Sequence, residues 1–219
     1  MSNTFVVNGD VIRRQIVGIP MGTNYAPLLA NLYLYAHESR FIDRVIQTHG
    51  VQRARSFHMT FRLIDDVLSV DNALFEDCDD LYPSELTLEQ TSISDSEVTF
   101  LGIHIVDNND SLVLDVYNKK KAFPFKVICY PHLDTVIPTR LPYGVFTGLL
   151  WRRYRICNRI SLFLKQAVDA ANTLLENKCS KYRLGRLSRD FLCQRQPLKW
   201  SCPLSQLCRQ LTRELGNSF

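Results

Sequence analysis

The first half of this 219-residue chain has no lysine. Residues 1–110 hold seven arginines against sixteen aspartates and glutamates, a net of −9, which leaves polyanion binding to the rest of the chain. There is also no Cys-x-x-Cys, and the last histidine is His132. Zinc sites usually show closely spaced ligand pairs, so Cys193, Cys202 and Cys208 do not read as one. The seven cysteines are odd in number and irregularly spaced, which excludes a disulfide framework and leaves reduced, mostly buried thiols. No apolar run reaches the length of a membrane span, so no membrane partner is expected. The residues from Met1 to Asp10 carry neither the basic nor the apolar region of a secretory signal, and the expected location is nuclear or cytoplasmic. With 46% hydrophobic residues the chain can build a packed core, so disorder is not expected.

The remainder is basic. Residues 111–219 hold nineteen lysines and arginines against six acids, a net of +13. An acidic half joined to a basic half suits a polyanion held by one part and cut or extended by the other. Two solvated surfaces of opposite sign are the plain alternative, and the size of the imbalance argues against it.

Within the acidic half, Asp65 and Asp66 stand side by side between two short apolar runs. Phe57, Met59, Phe61 and Leu63 alternate with His58, Thr60, Arg62 and Ile64, and Val67-Leu-Ser-Val70 resumes a strand. The pair therefore reads as the tip of a β-hairpin. Two like charges held together repel, and a divalent cation relieves that repulsion. A bare Asp-Asp is more often a solvated turn; the segment upstream shifts the balance. Gly18-Ile-Pro-Met-Gly22-Thr-Asn-Tyr-Ala-Pro27 is a defined loop with two glycines and two prolines. Thr23 or Asn24 can cap a following helix, with Pro27 in its first turn. Leu28, Leu32, Tyr35, Ser39, Ile42 and Ile46, broadened by Leu29, Ala36 and Val45, predict that helix as far as Gln47, ended at His49-Gly50. A glycine-rich loop before a helix can approach phosphate, although a tight structural turn is the simpler account of it alone.

Elsewhere, Asn8-Gly9 between β-branched residues predicts a hairpin turn beside Asp10. Ala73–Leu81 reads as a short acidic helix. Glu85–Glu89, Val98–Val106 and Ser111–Tyr117 read as strands, with a turn at Asn108-Asn109 and Lys119, Lys120 and Lys121 after the last. Helical patterns then run over Tyr143–Asn158, Ser161–Asn177 and Lys181–Gln194, studded with arginines that include Arg152, Arg153 and Arg155 and interleaved with Trp151, Tyr154, Phe163 and Tyr182. Pro197–Phe219 reads as a tail that frays.

Joined in this order, the motifs resemble those of a family. Gln15 to Tyr35 resembles motif B of reverse transcriptases, and Phe61-Arg-Leu-Ile-Asp-Asp-Val67 resembles motif C. Val98–Ile105 is similar to the strand after motif D, and Val116–Lys121 to the next strand and turn. Tyr143–Cys157 resembles the start of the thumb in Penelope-like retroelement enzymes, a branch that itself resembles telomerase reverse transcriptase. The resemblance covers roughly residues 5–195.

It implies an α+β fold: a polymerase palm with an antiparallel sheet and flanking helices over 1–135, a basic helical thumb-like subdomain over 136–196, and a tail over 197–219. It implies RNA-templated DNA synthesis by two-metal nucleotidyl transfer, with Mg²⁺ or Mn²⁺ held by Asp65 and Asp66 and Asp65 the direct ligand. Gly18, Pro20, Met21 and Gly22 would lie against the nucleotide and template base. Lys119, Lys120 and Lys121 would touch primer or phosphate, and Arg152, Arg153 and Arg155 the nucleic-acid backbone. The implied partners are an RNA template, a DNA primer and deoxynucleotides.

Three departures qualify this. Leu63 stands where the family usually has an aromatic. The motif A aspartate, its strand and the fingers do not occur in this sequence, and Asp10, on a turn, cannot substitute. No endonuclease domain is present. The expectation is a chain that alone does not synthesise DNA. The alternatives are a non-catalytic nucleic-acid-binding remnant that uses its basic helices, and a subunit completed by a chain or segment supplying motif A and fingers.

Overall fold

The computed structural model of the chain describes residues 5–16, 18, 22–75, 78, 80–92, 94–125, 127–128, 130, 132–195 and 199–217. Among these, six α-helices combine with three small antiparallel sheets. No described helix is long and apolar enough to cross a membrane. The chain divides into two compact units, residues 1–91 and 92–219.

Unit 1 begins with a hairpin of β1 (Phe5–Asn8) and β2 (Val11–Arg14). Asn8 pairs with Val11, so the loop is Gly9-Asp10, one residue later than the Asn-Gly signal suggests. The helix α1 (Ala26–His49) has Tyr25 as its N-cap, in place of the expected Thr23 or Asn24, and Tyr25 makes no side-chain cap bond. Instead the Ala26 amide donates to the Thr23 carbonyl at 3.2 Å. Proline in its first turn removes one donor that would otherwise need a partner.

After Gly50 come the single turn α2 (Val51–Ala54) and a 3₁₀ turn, Arg55–Met59. Strand alternation from Phe57 is therefore not realised until β3 (Thr60–Leu63). The reason is packing: Phe57 turns edge-on to Phe41 of α1, with ring centroids 5.5 Å apart, and leaves the ladder to start one turn later. β3 pairs with β4 (Asp66–Ser69), from Thr60↔Ser69 to Leu63↔Asp66.

The core of unit 1 is Phe41, Val45, Cys78 and Leu81, with Phe57, Phe75 and Tyr82 against it. Ala73–Phe75 forms only a 3₁₀ turn in place of the expected acidic helix, much of which lies outside the described residues. Glu85–Glu89 is not a strand. An extended segment needs a hydrogen-bonding neighbour, and no described ladder includes it.

Unit 2 is a three-stranded meander followed by a helical bundle. Val98–Val106 is not one strand but two, β5 (Glu97–Phe100) and β6 (Ile103–Asp107). Between them Leu101 and Gly102 both adopt left-handed φ, 51° and 74°, the signature of a two-residue hairpin turn. β7 (Leu112–Val116) completes the sheet and packs on α3 (Arg140–Ile156) and α4 (Ile160–Glu176). Asn158, between these helices, bonds the edge of β7. Its Oδ1 accepts from the Leu114 amide at 3.0 Å and its Nδ2 donates to the Leu112 carbonyl at 2.6 Å.

α5 (Lys181–Cys193) follows, with Ser180 accepting from the Arg183 amide as its cap. The expected fraying tail is instead a helix, α6 (Leu204–Asn217), whose Leu207 and Leu211 are buried in the core of unit 2. The i, i+4 spacing of Leu207 and Leu211 puts both on one face of the helix, which explains the docking. Lys199 fastens the approach to α6: its Nζ donates to the carbonyls of Tyr154, Arg155 and Cys157 at 3.4, 3.2 and 2.9 Å.

Candidate functional site

The Asp65-Asp66 pair does sit at a hairpin tip. Leu63 pairs with Asp66, so Ile64 and Asp65 are the two-residue loop. Ile64 has φ 55°, a left-handed conformation that a β-branched residue adopts only under strain. Both aspartates are exposed, and neither side chain has a hydrogen-bond or ion-pair partner among the described residues. Residues directly opposite on paired strands share a face, so Asp66, Leu63, Phe61 and Leu68 lie on one side of the hairpin. Phe61 and Leu63 are each 46% exposed, which leaves that side open.

The other side is anchored. Arg62, half-buried, donates from Nε to Glu38 Oε1 and from Nη2 to Glu38 Oε2 at 3.2 Å. Its Nη1 donates to Asn31 Oδ1 at 2.7 Å and to the Ile64 carbonyl at 3.4 Å. The Tyr82 hydroxyl donates to Glu38 Oε1 at 2.7 Å. The Glu38 carboxylate raises the Arg62 pKa through its hydrogen bond, and burial followed by that same carboxylate raises the pKa of Tyr82. One guanidinium thus ties α1 to the carbonyl of the strained tip residue.

Sequence reading did not single out Arg62, Glu38, Asn31 or Tyr82. The signal was there: Arg62 occupies the inward register of β3, where a charge needs partners, and Asn31 and Glu38 are seven residues apart on one helix face.

Two exposed, unpaired carboxylates fit a Mg²⁺ ion that keeps waters and takes further oxygens from phosphate. No third metal-ligating side chain joins them among the described residues.

The remaining site residues fall as follows. Gly18 and Gly22 have φ 89° and 86°, so the loop backbone itself requires glycine there. A Cβ on Gly22 would meet nothing within 4 Å and one on Gly18 only Gln15 Nε2, so the Cβ side of each is open rather than packed on the hairpin. Pro20 and Met21 lie outside the described residues.

In unit 2, Lys119 is exposed, whereas Lys120 stacks its Nζ 4.5 Å from the Tyr130 ring centroid. The side chain of Lys121 lies outside the description. Arg152 and Arg155 are exposed near the C-terminal end of α3. Arg153 is not a surface cation: it is half-buried, its Nε has no hydrogen-bond partner, and burial lowers its pKa. The α3 register explains this, since Arg153 follows Leu149 and Leu150 around the helix toward the core while Arg152 and Arg155 flank the open side.

Comparison with known proteins returns no relative: no family model, no curated protein and no solved structure matches this chain.

Proposed function

We propose that this chain is a palm-and-thumb portion of a retroelement reverse transcriptase of the Penelope-like branch. The observation that carries the reading is the tip at Ile64-Asp65-Asp66: two exposed, unpartnered carboxylates on a strained turn, held by the Arg62 clamp. In this reading Asp65 and Asp66 bind Mg²⁺ or Mn²⁺, and the basic residues of unit 2 hold an RNA template and DNA primer. A divalent ion bound there supplies charge neutralisation on the nucleotide phosphates and activation of the primer hydroxyl. Gly18 and Gly22 let the loop backbone approach the nucleotide. Arg62 orients the tip, and Leu63, cross-strand from Asp66, takes the place of the family's aromatic.

The resemblance calls for a motif A aspartate that this sequence lacks, so the chain alone is expected to bind nucleic acid without extending it. A primer-extension assay with Mg²⁺ and with Mn²⁺ tests this. Expected is retention of template–primer with no product. Templated product abolished by Asp65→Asn would show a complete site and overturn the incompleteness. Absence of template–primer binding would overturn the whole reading.

The second reading, a non-catalytic nucleic-acid-binding protein, is favoured by the same shortage of ligands. Mn²⁺ binding separates the two. The polymerase reading expects an ion bound in the presence of deoxynucleotide and lost in Asp65→Asn, and the binding-only reading expects none.

A further inference from the structure

We propose that the C-terminal part of α3 and the end of α5 form a stacking site for one nucleotide of a single-stranded nucleic acid, with Trp151 as the platform and Arg152 and Arg155 as its phosphate ligands. The inference stands on unit 2 alone and does not require the aspartate hairpin to hold metal.

Trp151 is 42% exposed, although it is one of only two tryptophans in the chain and lies beside a well-packed core. Arg195 covers its ring, with Cζ 4.2 Å from the centroid, and Phe191 meets it edge-on at 6.3 Å. Arg155 also reaches over the ring, with Cζ 5.8 Å from the centroid, and the indole borders an open surface cavity of about 460 Å³ lined by Trp151, Arg152, Arg155 and Ile156.

Among the described residues no acid lines the cavity. Arg152, Arg155 and Arg195 have no carboxylate partner among the described residues, and the buried Arg195 Nε has no hydrogen-bond partner. The nearby acid on α5, Asp190, is engaged by Arg186 at 3.7 Å. Like charges gathered without counter-charge repel, and an anion relieves them. The Arg152 guanidinium also lies against Gly102 of the β5–β6 turn, where a Cβ would meet its Nη2.

The aromatic platform decides what kind of anion fits. A free phosphate would use the arginines and leave the indole in water. A duplex presents its phosphates but keeps base faces stacked on one another. Of these, an unpaired strand offers a phosphate and a free base face together, repeated along its length.

The test uses the full chain. A short oligothymidylate, a duplex of equal length and heparin are each titrated at several salt concentrations while tryptophan emission is followed. The single strand is expected to quench Trp151, seen as the difference between the parent and Trp151→Leu, and in Trp200→Phe as the sole indole signal. Trp151→Leu should weaken single-strand binding by about tenfold or more, with an unchanged circular dichroism spectrum and an unchanged salt slope. Arg155→Gln should lower the salt slope by about one. Asp65→Asn should change none of these values, which keeps failure of the metal reading distinguishable from failure here. Equal quenching by duplex or heparin, no quenching by the single strand, or full affinity in Trp151→Leu would each overturn the proposal.

Discussion

Arg62 is the residue on which most of unit 1's polar order depends. Its guanidinium, 13% exposed, bonds Glu38, Asn31 and the Ile64 carbonyl, and no other side chain reaches all three. Arg62→Leu would strand the Glu38 carboxylate, itself only 28% exposed, and should cost about 2–3 kcal/mol in chemical denaturation. Arg62→Lys should recover only part of that, because an ammonium cannot span a bidentate carboxylate and two further acceptors. Equal stability of Arg62→Leu and the parent would show that the clamp does not form in solution.

A second residue carries a pH signature. Cys157 is fully buried, and burial followed by the adjacent Asp115 carboxylate, which accepts from its Sγ at 3.5 Å, pushes the thiol from 9.0 to about 12. The unfolded chain loses that proton first, so the stability tied to the neutral thiol is complete below pH 9 and is lost as pH rises from 9 to about 12. Cys157→Ala should flatten that part of the stability–pH curve. At neutral pH the parent thiol should resist alkylation that labels the exposed Cys193. A parent curve with the same alkaline slope as Cys157→Ala would refute the assignment.

Among the elements, α6 is the one whose importance is easiest to underrate. Leu207 and Leu211 are buried in the unit 2 core, so Leu207→Ala should cost about 3 kcal/mol, measured by thermal or urea unfolding. A cost below about 0.5 kcal/mol, the range of a surface change, would mean that the helix does not dock.

The other helices of unit 2 were legible to within a few residues, because an apolar stripe of period 3.6 is complete within each segment. α6 was passed over although Leu207 and Leu211 have the same local spacing; what the local pattern does not contain is the approach to it, where Lys199 reaches carbonyls between 42 and 45 positions back. The turn at Leu101-Gly102 was hidden for a different reason. A lone glycine inside an alternating apolar run reads as continuous strand, and only the pairing of Phe100 with Ile103 reveals the reversal. At the candidate site the hairpin tip was legible from local pattern, whereas the Arg62 clamp joins three segments that no local window contains.

Taken whole, the chain holds two units of unequal substance. Sixteen buried apolar residues form the core of unit 2 and four that of unit 1, among the described residues. Hydrophobic stabilisation scales with apolar area removed from water, so unit 2 should hold most of the stability. The stripe expected to bury α1 is correspondingly open in its first half: Leu28, Leu32 and Tyr35 are 61%, 55% and 63% exposed. Period alone says that these residues share a face, and it cannot say whether anything covers that face. Hydrogen exchange should therefore rank the amides. Those of α3, α4 and α5 should exchange only through the largest openings, and those of β1, β2 and the first half of α1 through small local ones. Leu32→Lys should leave unfolding within about 0.5 kcal/mol of the parent, because a side chain already in water loses little on becoming charged. Strong protection across the first half of α1, together with a cost above about 1 kcal/mol for Leu32→Lys, would mean that the stripe is covered in solution and that unit 1 is more complete than its four-residue core indicates.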